Sequence, residues 1–193
     1  VRYDAADQLC LDGKHLVRVG EDGGVLEFRT RPDTFVKVVG HYASEGDKPG
    51  NALFFEAHLR SGLVLEYGNN DGGKPVAKGG AARAWLATKA HDGRGNAMTY
   101  TYCTADADGV TVEYALDEIR YTSFEGDPSL EPSRAVQFVY GTKDPADIKT
   151  PYSGGMELQS SLRLDAIQML GPGDTLVRRY AFTYGLGPTT KRT

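Results

Sequence analysis

The sequence predicts an antiparallel all-β fold, in which hairpins stack serially into a curved sheet. Strand-like stretches alternate with turn clusters from end to end, and a 3.6-residue apolar period persists nowhere beyond about two turns. Eleven Tyr and seven Phe suit a pleated, half-buried surface, while 24 Gly supply the positive-φ positions that tight turns demand. Residues 83–89 form the one plausible helical run, and it is short.

Near the N-terminus, residues 9–11, the turn Asp12-Gly13-Lys14 and residues 15–19 make a strand, turn, strand unit whose Asp-Gly step suits a hairpin. A second Gly-rich turn, Glu21-Asp22-Gly23-Gly24, leads into residues 25–30. From 53 to 60, Phe55, Ala57 and Leu59 alternate with Glu56, His58 and Arg60, and after Ser61-Gly62 the stretch 63–67 is again apolar. That pattern is a hairpin with one face in the core. Residues 68–80, with Asn69-Asn70-Asp71-Gly72-Gly73 and Gly79-Gly80, are too polar to pack and are expected to form a long surface loop.

The clearest hairpin follows: residues 85–90, the polar run 91–96, and residues 97–102 ending on Tyr100 and Tyr102. The pattern recurs with Leu116, Ile119 and Tyr121 before a polar loop and Val136, Phe138 and Tyr140 after it. It recurs again with Leu164, Ile167 and Leu170, a Gly171-Pro172-Gly173 turn, and Tyr180, Phe182 and Tyr184. Units that each end in aromatic-x-aromatic can bury an apolar face against the next. Residues 121–132 and 142–155 are expected as insertions within one sheet system.

At 193 residues with no sharp composition shift, one domain spanning 1–193 is the default expectation. Apolar residues at 40% and charged residues at 25% provide for a packed core. A net charge of −4 with both signs interspersed offers no basic stripe, which argues against nucleic acid and anionic lipid as partners. No stretch approaches the ~20 apolar residues of a membrane span. The start at Val1-Arg2-Tyr3-Asp4, without Met or a signal-peptide core, suggests a fragment of something larger. Cys10 and Cys103 are expected to be packed side chains, with a disulfide between them an open alternative.

Site chemistry is sparse. His15, His41, His58 and His91 lie far apart in sequence, without ligand spacing on a shared helix or hairpin, so solvent-facing or turn histidines are the favoured reading. Ser44 and the pair Ser160-Ser161 lack the Gly-x-Ser-x-Gly elbow of a serine nucleophile. Asp92, Asp106, Asp108, Asp117, Glu118, Glu125 and Asp127 could supply a glycosidase pair, but most fall in turns, where Asp caps its own backbone. Residues 104–109 resemble a calcium loop only in Asp106-Ala107-Asp108-Gly109, with no bidentate Glu following, and a plain hairpin turn is preferred. No catalytic residue, cofactor or metal ligand is assigned.

Taken in order, residues 11–16, 28–35 and 55–68 resemble the SpvB-like domain of bacterial toxin-complex B components. The likeness continues through Trp85-Leu86, Asp92-Gly93-Arg94-Gly95-Asn96 and Tyr100-Thr101-Tyr102, which is similar to an Rhs-type YD repeat, and through residues 114–121 and 179–184. The resemblance implies a secreted structural segment of the β-shell that encapsulates a toxin effector. Its implied partners are the remaining parent chain, a toxin C-type component and a translocation channel component, with no catalytic residues to carry over. The competing reading is a carbohydrate-binding module of a secreted protein, in which the alternating aromatics would line an exposed face. A glycoside hydrolase stands third.

Overall fold

The computed structural model describes residue 3 and residues 7–44, 49–127 and 129–185. Twelve strands form one sheet in the order β1-β2-β3-β4-β5-β6-β7-β8-β9-β10-β13-β14, every neighbour pair antiparallel. The strands are β1 (Cys10–Leu11), β2 (Lys14–Asp22), β3 (Val25–Arg31), β4 (Lys37–His41), β5 (Phe54–His58), β6 (Val64–Tyr67) and β7 (Ala87–His91). The second half holds β8 (Asn96–Ala107), β9 (Val110–Phe124), β10 (Arg134–Thr142), β13 (Leu162–Leu170) and β14 (Leu176–Ala181). A separate two-stranded ribbon, β11 (Tyr152–Ser153) with β12 (Met156–Glu157), lies within the insertion after β10.

The hairpins form where their turns were expected. Asp12 and Gly13 adopt φ of 49° and 74°, Gly23 and Gly24 of 52° and 82°, and Asp108 and Gly109 of 50° and 74°. Paired left-handed residues twist a two-residue connection to match the flanking strands. Residues 106–109 are therefore a hairpin end, with Ala107 opposite Val110.

Period-two patterning sends Leu26 and Phe28 of β3, Val38 of β4, and Phe55 and Ala57 of β5 to one face, where they form the core with Tyr42 and Ala52. Phe55 meets Phe28, Tyr42 and Trp85 edge-on at centroid distances of 6.2, 6.5 and 5.0 Å. The large fully buried side chains sit in this N-terminal half and its covering strap. From β8 onward the buried hydrophobics of the sheet are Ala97, Ala135 and Ala166, and most other strand positions are half-buried on both faces. Away from the end of the β8–β9 hairpin, where Thr111 and Glu113 are buried, the C-terminal half is thus a single layer.

Three expectations are corrected. Residues 83–89 form no helix: 83–86 are irregular and β7 begins at Ala87, paired on both sides, burying Thr88 and Ala90 while Lys89 and His91 face outward. Two flanking strands outweigh a short helical preference. Residues 68–80, expected on the surface, pack as a strap, with Pro75 and Ala77 fully buried. The strap satisfies its backbone carbonyls through Leu86 N–H to Gly73 O (2.7 Å) and Thr111 N–H to Val76 O (2.9 Å), and its Asn70 side chain through Nδ2–H to Tyr100 O (2.8 Å). Gly68, Gly72 and Gly73 permit close approach to Trp85, Tyr102 and Thr88, while Gly79 and Gly80 stand clear of any neighbour. Cys10, finally, is exposed and not packed; it and the half-buried Cys103 are both free thiols, so no disulfide joins them.

Gly68 gives a direct check on the strap. Its φ is +76°, and an added Cβ would stand 2.4 Å from Trp85 Cδ1. Gly68→Ala is expected to lower stability by roughly 2 kcal/mol, read from the urea midpoint at unchanged slope. Gly62→Ala, at φ +86° with nothing within 4 Å, isolates the backbone share and should cost about half as much. Equal losses would mean the Trp85 contact is absent.

Candidate functional site

Beyond the stretch paired with β10, which spans residues 118–121, the β8–β9 hairpin runs on to its turn at 108–109 and is held by other elements. On one side Arg83 donates from Nη1 to Thr111 O (2.8 Å) with its guanidinium over the Tyr114 ring at 5.0 Å. On the other, the buried Glu113 carboxylate accepts from Ser161 N–H (2.7 Å), Ser161 Oγ–H (2.5 Å) and Leu162 N–H (3.0 Å). Burial alone would raise the Glu113 carboxyl. The hydrogen bonds from Leu162 and Ser161, with the Lys143 charge, outweigh it and hold the carboxyl below its ordinary value. Lys143 Nζ in turn donates to Ser160 O (3.2 Å) and Oγ (2.6 Å). Ser161 thus latches the start of β13 to the hairpin, while Lys143 holds Ser160 beside it.

The outward face of β3 to β7 carries a cross-strand row of charge. Glu27 pairs with Arg29 (2.8 Å) and Lys37 (3.3 Å), and Lys89 bridges Glu66 (3.4 Å) and Glu125. His41 and His58, distant in sequence, flank one carboxylate: their Nε2 atoms lie 3.6 and 3.2 Å from the two oxygens of Glu56. His91 Nδ1 is 3.4 Å from Glu125, and His15 Nδ1 is 3.5 Å from Cys10 Sγ. Linear spacing hides the Glu56 grouping because strand register creates it. Among the described residues, no group of three or more His, Cys, Asp or Glu is arranged to hold a metal ion.

The carboxylates weighed as a glycosidase pair have other partners or places. Asp92 Oδ1 accepts from Arg94 N–H (2.8 Å) and Asn96 N–H (3.0 Å), and Asn96 Nδ2–H reaches Oδ2 (2.9 Å). These bonds, that from the Asn96 side chain foremost, hold the Asp92 carboxyl below its ordinary value. Asp127 caps Ser129 in the same way. Glu118 pairs with Arg120, which also reaches Asp174 at 3.1 Å. Asp106 and Asp117 lie in β8 and β9, and Asp108 in the hairpin turn.

The aromatic rows divide. Tyr100 and Tyr102 are half-buried; Tyr102 Oη–H donates to Ala87 O (2.7 Å), and burial pushes its hydroxyl pKa up to about 12. Tyr140 Oη–H donates to Leu116 O (2.8 Å). Tyr180, Phe182 and Tyr184 are 47%, 43% and 42% exposed, and guanidinium groups of Arg178 and Arg163 lie 5.8 and 5.2 Å from the Tyr180 and Tyr184 ring centres. They belong to β14 and its continuation. All six residues of β14 are exposed, and β13 is its only partner strand among the described residues.

The family described as Salmonella virulence plasmid 65kDa B protein, SpvB, matches residues 10–155. The chain belongs to the SpvB family. No curated protein matches it in sequence. Three solved structures share its fold at a TM-score of 0.74 and 18% identity. One is the N-terminal domain of the effector protein SpvB from Salmonella typhimurium strain LT2, with 97% of this chain and 79% of that chain covered. Another is a TcdB2-TccC3-Cdc42 crystal structure, with 94% and 12% covered, and a third a Tc holotoxin pore from Photorhabdus luminescens, with 95% and 12% covered. This SpvB-family chain therefore has the fold of a segment found in toxin-complex proteins, and spans about an eighth of the two toxin-complex chains.

Proposed function

We propose that this SpvB-family chain is a wall segment of a secreted toxin-complex B component, a scaffold without catalytic chemistry of its own. In this reading its sheet forms part of a β-shell that encloses a toxin effector, working with the rest of its parent chain, a C-type component and a translocation channel component. The observation that carries the reading is the single-layered C-terminal half ending at β14. A self-contained domain covers both faces or blunts its edges, whereas a wall strand leaves an edge for its neighbour.

Phe182 N–H donates to Asp165 O on β13 (2.9 Å), so by the two-residue period Arg179 N–H points away from β13, to the edge left open among the described residues. Arg179→Pro therefore removes an outward donor and spares the β13 pairing. In a full-length B component carrying this segment, assembled with its C component, the enclosed effector is expected to resist protease, and Arg179→Pro to expose it. An effector equally protected in both would count against β14 as a wall seam. An effector cleaved in both would count against enclosure itself.

Carbohydrate binding keeps one specific support, the exposed rings of Tyr180, Phe182 and Tyr184. Saturable binding of a neutral oligosaccharide, lost in Tyr180→Ala, would favour it over the wall reading.

A further inference from the structure

Phe35, in the loop between β3 and β4, is 71% exposed, more than any other large hydrophobic side chain among the described residues. Its backbone sits at φ +60°, a left-handed conformation that a bulky aromatic residue rarely adopts. The loop holds it there. Phe35 N–H donates to Asp33 Oδ1 (2.7 Å), Thr34 N–H donates to Oγ1 of the buried Thr30 (2.9 Å), and the two threonine hydroxyls bond at 2.7 Å. The Arg60 guanidinium, just past β5, lies 5.7 Å from the ring centre. A strained backbone that displays its ring to water adds nothing to the core, and strain of this kind gathers at functional positions.

We infer that Phe35 is the anchor of an interaction surface, entering an apolar socket on a partner protein whose rim carries carboxylates. Four exposed cations stand at this end of β3 to β5, namely Arg29, Arg31, Lys37 and Arg60, against the carboxylates of Glu27 and Asp33. Glu27 is taken by Arg29 and Lys37, and Asp33 by the Phe35 amide, so Arg31 and Arg60 are the charges left beside the ring. Glu56 lies further along β5 with His41 and His58, and Asp12 belongs to the core side, where it lines a cavity with Phe55 and Trp85. Charge complementarity therefore selects an acidic rim, and an aromatic ring flanked by arginines is the composition enriched at interface centres. A ring held in one place suits a preformed socket, because pre-organisation lowers the cost of binding, whereas a fluid bilayer gains nothing from it. The inference stands apart from the wall reading, because it concerns the β3–β4 loop and not the β14 edge.

Two measurements test it. Asn tolerates the left-handed conformation, so Phe35→Asn should leave the thermal midpoint unchanged or raise it by up to about 3 °C, as expected of a residue kept for binding and not for folding. A lowered midpoint would assign Phe35 to the fold and overturn the anchor. The binding probe is carboxymethyl-β-cyclodextrin, a rigid apolar socket with a carboxylate rim, set against unsubstituted β-cyclodextrin. With ring-labelled phenylalanine, the Phe35 NMR signal, identified by its loss in Phe35→Asn, should shift saturably with the carboxylated socket. The unsubstituted one should bind about fivefold more weakly, and added salt or Arg60→Gln should shrink that preference to about twofold. A Phe35 signal that does not move, or equal affinity for the two sockets, would overturn the inference. Sedimentation with phosphatidylserine vesicles that is lost in Phe35→Asn would replace the protein partner with a membrane.

Discussion

Phe28→Ala is expected to remove roughly 3–5 kcal/mol of stability, enough to leave much of the population unfolded if the total lies in the usual ~5–15 kcal/mol. Phe28 is 2% exposed and is among the largest fully buried side chains. It sits in β3 between two paired strands and meets Phe55 edge-on, and Phe55 in turn carries Tyr42 and Trp85. Strands hydrogen-bonded on both sides cannot shift to collapse the void, so the cost should fall high in the range. Urea unfolding measures it, with Val17→Ala on the exposed side of β2 as a control expected to change little. A Phe28→Ala loss below about 1 kcal/mol would mean the aromatic cluster is not the core.

Glu113→Gln is expected to cost about 2–3 kcal/mol, because a buried carboxylate that accepts three hydrogen bonds is replaced by a group whose NH₂ faces donors. The pH dependence identifies the cause. The folded-state carboxyl lies below its ordinary 4.5, so its contribution is complete above that value and is lost as pH falls through the depressed one. Wild-type stability should therefore drop with acidification in this window more steeply than that of Glu113→Gln. Hydrogen exchange should localise the loss to the start of β13 and the β8–β9 hairpin end, with β3 to β5 still protected. Parallel pH curves for the two proteins would show that Glu113 is not held as the charged form.

Local rules made most of this fold legible. Asp12-Gly13, Gly23-Gly24 and Asp108-Gly109 state their turns in the chain, since paired left-handed residues need Gly beside Asp or another Gly. Alternation in residues 54–58 states which face Phe55 and Ala57 take. The aromatic-x-aromatic units mark β8, β10 and β14 as second strands of successive hairpins. The strap was illegible because its burial depends on Gly68 and Gly73 lying against Trp85 and Thr88, partners that a polar, glycine-rich stretch does not announce. The helix expected over residues 83–89 failed for a related reason, as the strand that begins at Ala87 is imposed by β6 and β8 on either side.

What the sequence by itself determined was the sequence of hairpins, their turns, and the ordered motifs of the SpvB family, because each rests on contacts between near neighbours in the chain. What only the tertiary structure decided was where distant residues meet: Glu113 with Ser161, His41 and His58 on one Glu56 carboxylate, Asp12 beside the Phe55 and Trp85 wall, and the edge of β14 left unpaired among the described residues. Those meetings depend on strand order and register, and a one-residue slip would send every such side chain to the opposite face.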